Sequence, residues 1–127
     1  MALALAALAA GLVGLAIGSF LGVLVLRLPQ GRPVAMARSA CPQCARVLGP
    51  FELIPLVSWL VQRRRCRGCG AQLSFFYPGM ELAAAAIAAA AVTFANWPWA
   101  AAACVAGWGL LGLSALAVRH FSCRTLP

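Results

Sequence analysis

The chain has 127 residues, of which 64% are hydrophobic and only 9% are charged, whereas about 25% of residues are charged in a soluble domain. This composition excludes an ordinary soluble globular domain and predicts a membrane protein with a small water-exposed part. The net charge of +8 results from ten arginines and two glutamates. Because the arginines lie between or beside apolar segments, they are typical of positively charged cytoplasmic loops. A surface for nucleic acid or acidic lipid is the alternative, and no nucleic-acid partner is expected.

The first predicted element, residues 1–27, is a transmembrane helix. Ala2 to Leu26 form an uninterrupted apolar run closed by Arg27, and about 20 helical residues suffice to cross a bilayer. The run lacks the positive start of a cleaved signal peptide. We therefore expect an uncleaved helix with its N-terminus outside. Small residues recur along it at spacings of three and four and would let another helix approach closely: Gly11, Gly14, Gly18 and Ser19.

Residues 28–77 are predicted to form a cytosolic loop with a zinc site. Two Cys-x-x-Cys pairs, Cys41 with Cys44 and Cys66 with Cys69, are separated by 21 residues. Such pairs can place four thiolates around one Zn²⁺ in a closed structural site. Two disulfides, which need an oxidising compartment, and ordinary buried thiols are the alternatives. Cys104 and Cys123 stand apart and are left out of the site.

The stretch between the two cysteine pairs carries an apolar and a basic segment. Residues 51–61 are apolar at helical spacing but too short to span a bilayer, so we expect a short helix on the membrane or against the zinc turns. Arg63, Arg64 and Arg65 follow. They are interpreted as a solvated or headgroup-facing rim, with a binding site as the alternative.

Residues 78–127 are predicted to form a helical hairpin and a short cytosolic tail. The two helices cover about residues 79–96 and 100–118, and Trp97 and Trp99 in the outer turn suit the membrane interface. Glu81, one turn into the first of them, is a functional candidate or pairs with an arginine of the loop. The predicted fold class is therefore an all-α integral membrane protein, with three transmembrane helices and a cytosolic tetracysteine zinc-binding loop between helices 1 and 2.

Residues 14–82 resemble the N-terminal domain of type IV prepilin leader peptidases/N-methyltransferases. The resemblance is carried by five segments in order: Gly18-Ser19-Phe20-Leu21, Cys41-Pro42-Gln43-Cys44, the run from Glu52 to Leu60, the run from Arg65 to Ala71, and Tyr77-Pro78 followed by Glu81-Leu82. Gly22 departs from the family, which usually has asparagine there. The resemblance implies a bacterial inner-membrane protein whose partners are prepilin or pseudopilin leader peptides of type IV pili or type II secretion, with S-adenosylmethionine as methyl donor.

The peptidase reaction of that family depends on two aspartates, since one carboxylate activates water while the other acts as acid. The 127 residues contain no aspartate. The segment around His120 stands where the first is expected, and the chain stops before the place of the second. We therefore expect one truncated N-terminal domain that serves leader recognition or N-methylation and does not cleave by itself.

Three polar residues remain as candidates: Glu52, Glu81 and His120. A catalytic pair of the two glutamates is disfavoured, because they match ordinary positions of the family's N-terminal domain. His120 is interpreted as an interfacial residue, with a role as a base, or as a metal ligand together with Cys123, as the alternatives. The competing function is a non-enzymatic, membrane-anchored zinc module that binds a partner of the pilus or secretion machinery, such as a separately encoded catalytic half.

Overall fold

The structure is a computed structural model that describes residues 1–34, 40–41 and 43–125. Four α-helices account for most of it: α1 Ala2–Arg27, α2 Val57–Val61, α3 Phe76–Phe94 and α4 Trp99–Thr125. In the described ranges there is no β-strand, only two isolated antiparallel bridges. Three helices are long and apolar enough to cross a membrane, over Ala2–Gln30, Phe76–Phe94 and Trp99–Ser122. The prediction of a helical fold with three helices able to span a membrane is confirmed.

Helices α1 and α3 pack through glycines at close range. A Cβ atom built on Gly14 would lie 2.6 Å from the carbonyl oxygen of Ala84, and one built on Gly18 would lie 2.6 Å from the carbonyl oxygen of Met80. Gly22 continues the row, whereas Gly11 has nothing within 4 Å of its Cβ position and takes no part. Apolar lipid provides little hydrophobic force between helices, so this backbone contact and its dispersion energy hold the pair together.

Helix α4 joins this pair through α3. A Cβ atom on Gly107 would lie 2.6 Å from Cγ2 of Ile87, and the indole Nε1 of Trp108 donates a hydrogen bond of 3.0 Å to the carbonyl of Ala84. Helix α4 continues past the predicted end of its apolar run at residue 118, so the predicted tail is helical to Thr125. Polar residues end an apolar run without ending a helix, because arginine and histidine are tolerated in helices.

The predicted helix over residues 51–61 is broken in two. A 3₁₀ turn covers Pro50–Leu53, and α2 begins only at Val57. Ile54 is extended, with φ −65° and ψ 120°, because the residue before a proline (here Pro55) is sterically kept out of the helical region. Leu56 then takes a left-handed φ of 58°. The prediction of one continuous helix was wrong.

Candidate metal centre

Each Cys-x-x-Cys pair lies in a short hairpin, and the two hairpins are alike. The first is closed by an antiparallel bridge between Ala40 and Val47, and the second by one between Arg65 and Gln72. Each position of the second lies 25 residues after its equivalent in the first. The same two backbone hydrogen bonds recur in both: Cys41 N to Arg46 O (3.0 Å) and Ala45 N to Cys41 O (2.9 Å), then Cys66 N to Ala71 O (2.9 Å) and Gly70 N to Cys66 O (2.9 Å).

The residue after the second cysteine of each pair is left-handed. Ala45 has φ 57° and Gly70 has φ 72°. A residue with a Cβ atom pays roughly 1–2 kcal/mol for this conformation, and glycine does not. Gly68 fits for a different reason, since a Cβ atom there would lie 3.3 Å from the sulfur of Cys44, which is a tight contact. The second hairpin thus uses glycine at the turn and beside the sulfurs.

The four sulfurs converge on one point. The Sγ atoms of Cys41, Cys44, Cys66 and Cys69 all lie within 4.8 Å of one another. The separation is 3.7 Å between Cys41 and Cys69 and 3.9 Å between Cys44 and Cys66. A tetrahedron with metal–sulfur bonds of about 2.3 Å has edges of about 3.8 Å, while a disulfide needs sulfurs about 2.05 Å apart. The cysteines are therefore free thiols, placed where a metal ion could bind.

The thiols of the second hairpin differ in acidity. The backbone N–H groups of Cys69 and Gly68 stabilise the Cys66 thiolate and lower its pKa to about 6. The backbone N–H of Ala71 lowers the pKa of Cys69, but desolvation and the three neighbouring cysteines outweigh it and raise that pKa to about 11. A metal ion that binds the four thiolates would have to displace the proton of Cys69.

Glu52 supports the first hairpin. Its Oε2 accepts a hydrogen bond of 2.8 Å from the backbone N–H of Gly49, and its Oε1 lies 3.5 Å from Nη2 of Arg46. The Arg46 side chain also covers Gly68, whose Cβ position is 3.1 Å from its Cδ. Glu52 therefore connects the 3₁₀ turn to the sulfur cluster through Arg46. Sequence reasoning did not find this role for Arg46, because its partner follows six residues later across a turn.

Glu81 connects the loop to the helices. Only 5% of the residue is exposed, and its Oε2 accepts a hydrogen bond of 2.6 Å from the backbone N–H of Leu56. The side chain of Ser19 on α1 also hydrogen-bonds to it. The sequence suggested an arginine of the loop as its partner; the structure places a backbone amide there. Within residues 1–34, 40–41 and 43–125, no hydrogen bond or ion pair joins Glu81 to Glu52.

His120 lies apart from these groups. It is exposed near the end of α4, and its ring centroid is 6.3 Å from that of Phe121. The candidate metal-binding group found among the described residues consists of the four loop cysteines without His120. The alternative of a shared site with Cys123 concerns a side chain outside the described part.

The comparisons with known proteins all point to one family. The model described as "Bacterial Peptidase A24 N-terminal domain" matches residues 12–95. A prepilin leader peptidase/N-methyltransferase of Myxococcus xanthus is 50% identical over 70 residues, which are 55% of this chain and 21% of that protein. The protein of the same name from Stutzerimonas stutzeri is 34% identical over 137 aligned positions, which cover 89% of this chain and 47% of that protein.

A third relative of that name, from Bacillus subtilis, is 45% identical over 78 residues, which are 61% of this chain and 32% of that protein. The chain thus spans less than half of the length of these curated relatives. No solved structure matches it. Since the family model covers well over half of the chain, including both cysteine hairpins, the chain belongs to the bacterial peptidase A24 N-terminal domain family.

Proposed function

We propose that this chain acts in the processing of type IV prepilins or type II secretion pseudopilins, as the N-terminal domain of a prepilin peptidase. The observation that carries the proposal is the coincidence of the family match with the sulfur cluster: the matched residues 12–95 contain all four converging thiols and the α1–α3 pair that supports them. Residues 1–27, 28–77 and 78–127 would form one domain, with S-adenosylmethionine as methyl donor for N-methylation.

The proposed occupant of the sulfur cluster is a structural Zn²⁺. Four thiolates in a closed tetrahedral set are the ligands of structural zinc sites, and the sulfur separations of 3.7 and 3.9 Å fit that geometry. The apolar interior of the loop is small, so metal binding would contribute much of its folding free energy. Cys41, Cys44, Cys66 and Cys69 would hold the ion. It would crosslink the two hairpins and take no part in chemistry.

The proposed location is the bacterial inner membrane, with the zinc loop cytosolic and the N-terminus outside. Support comes from the arginines, which gather at one end of the helices. Arg27 ends α1, and the guanidinium of Arg119 near the end of α4 lies 4.5 Å from the ring centroid of Phe76 at the start of α3. Positively charged ends of this kind are retained on the cytosolic side.

The 127 residues contain no aspartate, and their two glutamates are held by Arg46 and by the Leu56 amide. We therefore infer that these residues alone recognise the leader or support its methylation without cleaving it. A second candidate is a membrane-anchored zinc module that binds a machinery protein, such as a separate catalytic half. It is favoured by the engagement of both carboxylates in structural contacts.

The test uses the purified, zinc-loaded chain in lipid nanodiscs, a fluorescent prepilin peptide and labelled S-adenosylmethionine. We expect the peptide to bind, and its leader to remain uncut. Binding should fail in a Cys41→Ser/Cys44→Ser variant and persist in the matched Cys104→Ser variant, because Cys104 lies in α4 away from the cluster. Methylation of a precleaved peptide would assign the transferase role to this domain.

Two results would contradict the proposal. Leader cleavage by the chain alone would refute the inference drawn from its carboxylates. Absence of peptide binding, together with co-purification of a second membrane protein that carries two aspartates, would favour the zinc-module alternative. Bound zinc, measured by elemental analysis of the same preparation, shows whether the loop is folded in each variant.

A further inference from the structure

Three consecutive arginines form an unusual turn after α2. The backbone N–H of Arg65 donates a hydrogen bond of 3.0 Å to the carbonyl of Gln62, and the two central residues, Arg63 and Arg64, have φ values of 50° and 64°. Turns with two left-handed residues normally contain asparagine and glycine. A left-handed conformation held by bulky residues is an outlier from which a functional hypothesis can start.

The turn directs the arginines to one concave surface. Arg63, Arg64, Arg65 and Gln72 line a cavity of about 300 Å³. Gln72 faces Arg65 across the antiparallel bridge of the second cysteine hairpin, so the lining residues are held by the same hairpin that carries Cys66 and Cys69. Each guanidinium offers up to five N–H donors, and the glutamine amide offers two more.

One of the three guanidinium groups is held in place by aromatic rings. The Cζ atom of Arg64 lies 4.2 Å from the ring centroid of Phe75 and 5.8 Å from that of Trp59. The two rings contact each other, with centroids 5.0 Å apart. Stacking of this kind orients a guanidinium and leaves its N–H edges available for a ligand.

In the part of the chain that the structure describes, no ion pair joins a carboxylate to these arginines. The chain's two acidic side chains are engaged elsewhere, Glu52 with Gly49 and Arg46 and Glu81 with the Leu56 amide. Three positive charges that line one concave surface would therefore attract an anion from outside the chain. Arginine binds phosphate oxygens in a bidentate manner, which makes a phosphate group the best chemical match.

The segment before the turn indicates where the phosphate comes from. Phe51, Val57, Leu60 and Val61 are 82%, 51%, 59% and 61% exposed, so large apolar side chains lie on the surface just ahead of the arginines. Apolar side chains beside a basic group are typical of segments that rest on an anionic leaflet. We propose that Arg63, Arg64, Arg65 and Gln72 form a binding site for the phosphate of an anionic phospholipid headgroup.

The experiment is native mass spectrometry of the zinc-loaded full chain in a neutral detergent. Phosphatidylglycerol, phosphatidylcholine and inorganic phosphate are titrated separately. The wild-type chain should bind one phosphatidylglycerol in preference to phosphatidylcholine. The Arg63→Gln/Arg65→Gln variant should bind it about thirtyfold more weakly. The Arg63→Lys/Arg65→Lys variant, which keeps the charge, should recover part of the loss.

The matched control is Arg32→Gln/Arg124→Gln, which removes two charges from exposed arginines outside the cavity and should change the affinity less than twofold. Inorganic phosphate that binds with the same dependence on Arg63 and Arg65, while the lipid does not, would support the phosphate site and identify a soluble ligand. The proposal would be overturned if Arg63→Gln/Arg65→Gln and Arg32→Gln/Arg124→Gln, at equal zinc content, had the same affinity for phosphatidylglycerol and the same affinity for phosphate.

Discussion

Substitution of the helix glycines gives the sharpest test of the membrane part, because one helix contains both contact and non-contact positions. An alanine Cβ at Gly14 would lie 2.6 Å from backbone atoms of Ala84 and Ala85, where ordinary contacts begin at 3.4 Å. Neither neighbour is a flexible side chain, so α1 and α3 would have to separate by about 0.8 Å, the difference of those two distances. Gly18 is in the same situation.

The magnitude follows from two opposing effects. Overpacking of a tight interface costs about 1–3 kcal/mol, and replacing glycine by alanine within a helix gains up to about 1 kcal/mol. The Gly11→Ala variant should show only the gain in helix stability, because nothing lies within 4 Å of its Cβ position. The difference in unfolding free energy between Gly14→Ala and Gly11→Ala should therefore equal the overpacking cost, about 1–3 kcal/mol. Gly18→Ala should behave like Gly14→Ala.

The assay is unfolding of the purified chain in mixed micelles with increasing dodecyl sulfate, followed by circular dichroism. A graded control is Gly22→Ala, whose Cβ would lie 3.3 Å from the ring of Tyr77, a side chain that can move, so its effect should be intermediate. If Gly14→Ala and Gly18→Ala prove as stable as Gly11→Ala, the close packing of α1 on α3 is refuted.

Three further predictions concern the loop. Zinc binding at pH 7.5 should release fewer than four protons, because the Cys66 thiol with its pKa of about 6 is already ionised. The number of released protons should rise below pH 6. Calorimetry in two buffers of different ionisation enthalpy measures this number, and four protons at pH 7.5 would contradict the stated pKa of Cys66. Gly70→Ala should weaken zinc binding by about 1 kcal/mol, since the φ of Gly70 is 72°, while Ala45→Gly should strengthen zinc binding or leave it unchanged. Competition with a chromophoric chelator compares the zinc affinities of the two variants. Equal losses of affinity would argue against two equivalent turns. Glu81→Ala should destabilise the loop by about 1–3 kcal/mol, because it leaves the partly buried N–H of Leu56 without its acceptor. Glu81→Gln keeps an oxygen and should cost less. Amide hydrogen exchange in α2 reports the difference, and identical exchange in the two variants would speak against this contact as an anchor.

The long helices and the sulfur cluster were predictable, each for a simple reason. A bilayer demands about 20 apolar residues whatever the rest of the fold does, so the run from Ala2 to Leu26 can be read directly from the sequence. The pairing within Cys-x-x-Cys is local, and four such thiols have few alternatives. Hydropathy does not report where a helix ends, which is why α4 extends past its apolar run.

The contacts of the loop could not be predicted, because they depend on backbone groups whose positions are set by tertiary packing. Glu81 finds the N–H of Leu56, 25 residues earlier in the chain, and no pattern in the sequence marks that amide. The break before α2 did have a signal in Pro55, which disfavours a helical residue before it. The left-handed conformations of Arg63 and Arg64 had none, since arginine is an ordinary helix former.

The equivalence of the two cysteine hairpins separates the residues that position the sulfurs from those that connect the two pairs. Each hairpin sets its own pair of sulfurs through an eight-residue unit, Ala40–Val47 or Arg65–Gln72, closed by its own bridge. The connection from Leu48 to Arg64 contributes no ligand, but its Glu52 and Leu56 hold it against Arg46 and Glu81. An insertion there should weaken these supports and leave each pair of sulfurs intact, whereas one residue added inside either unit should destroy the cluster.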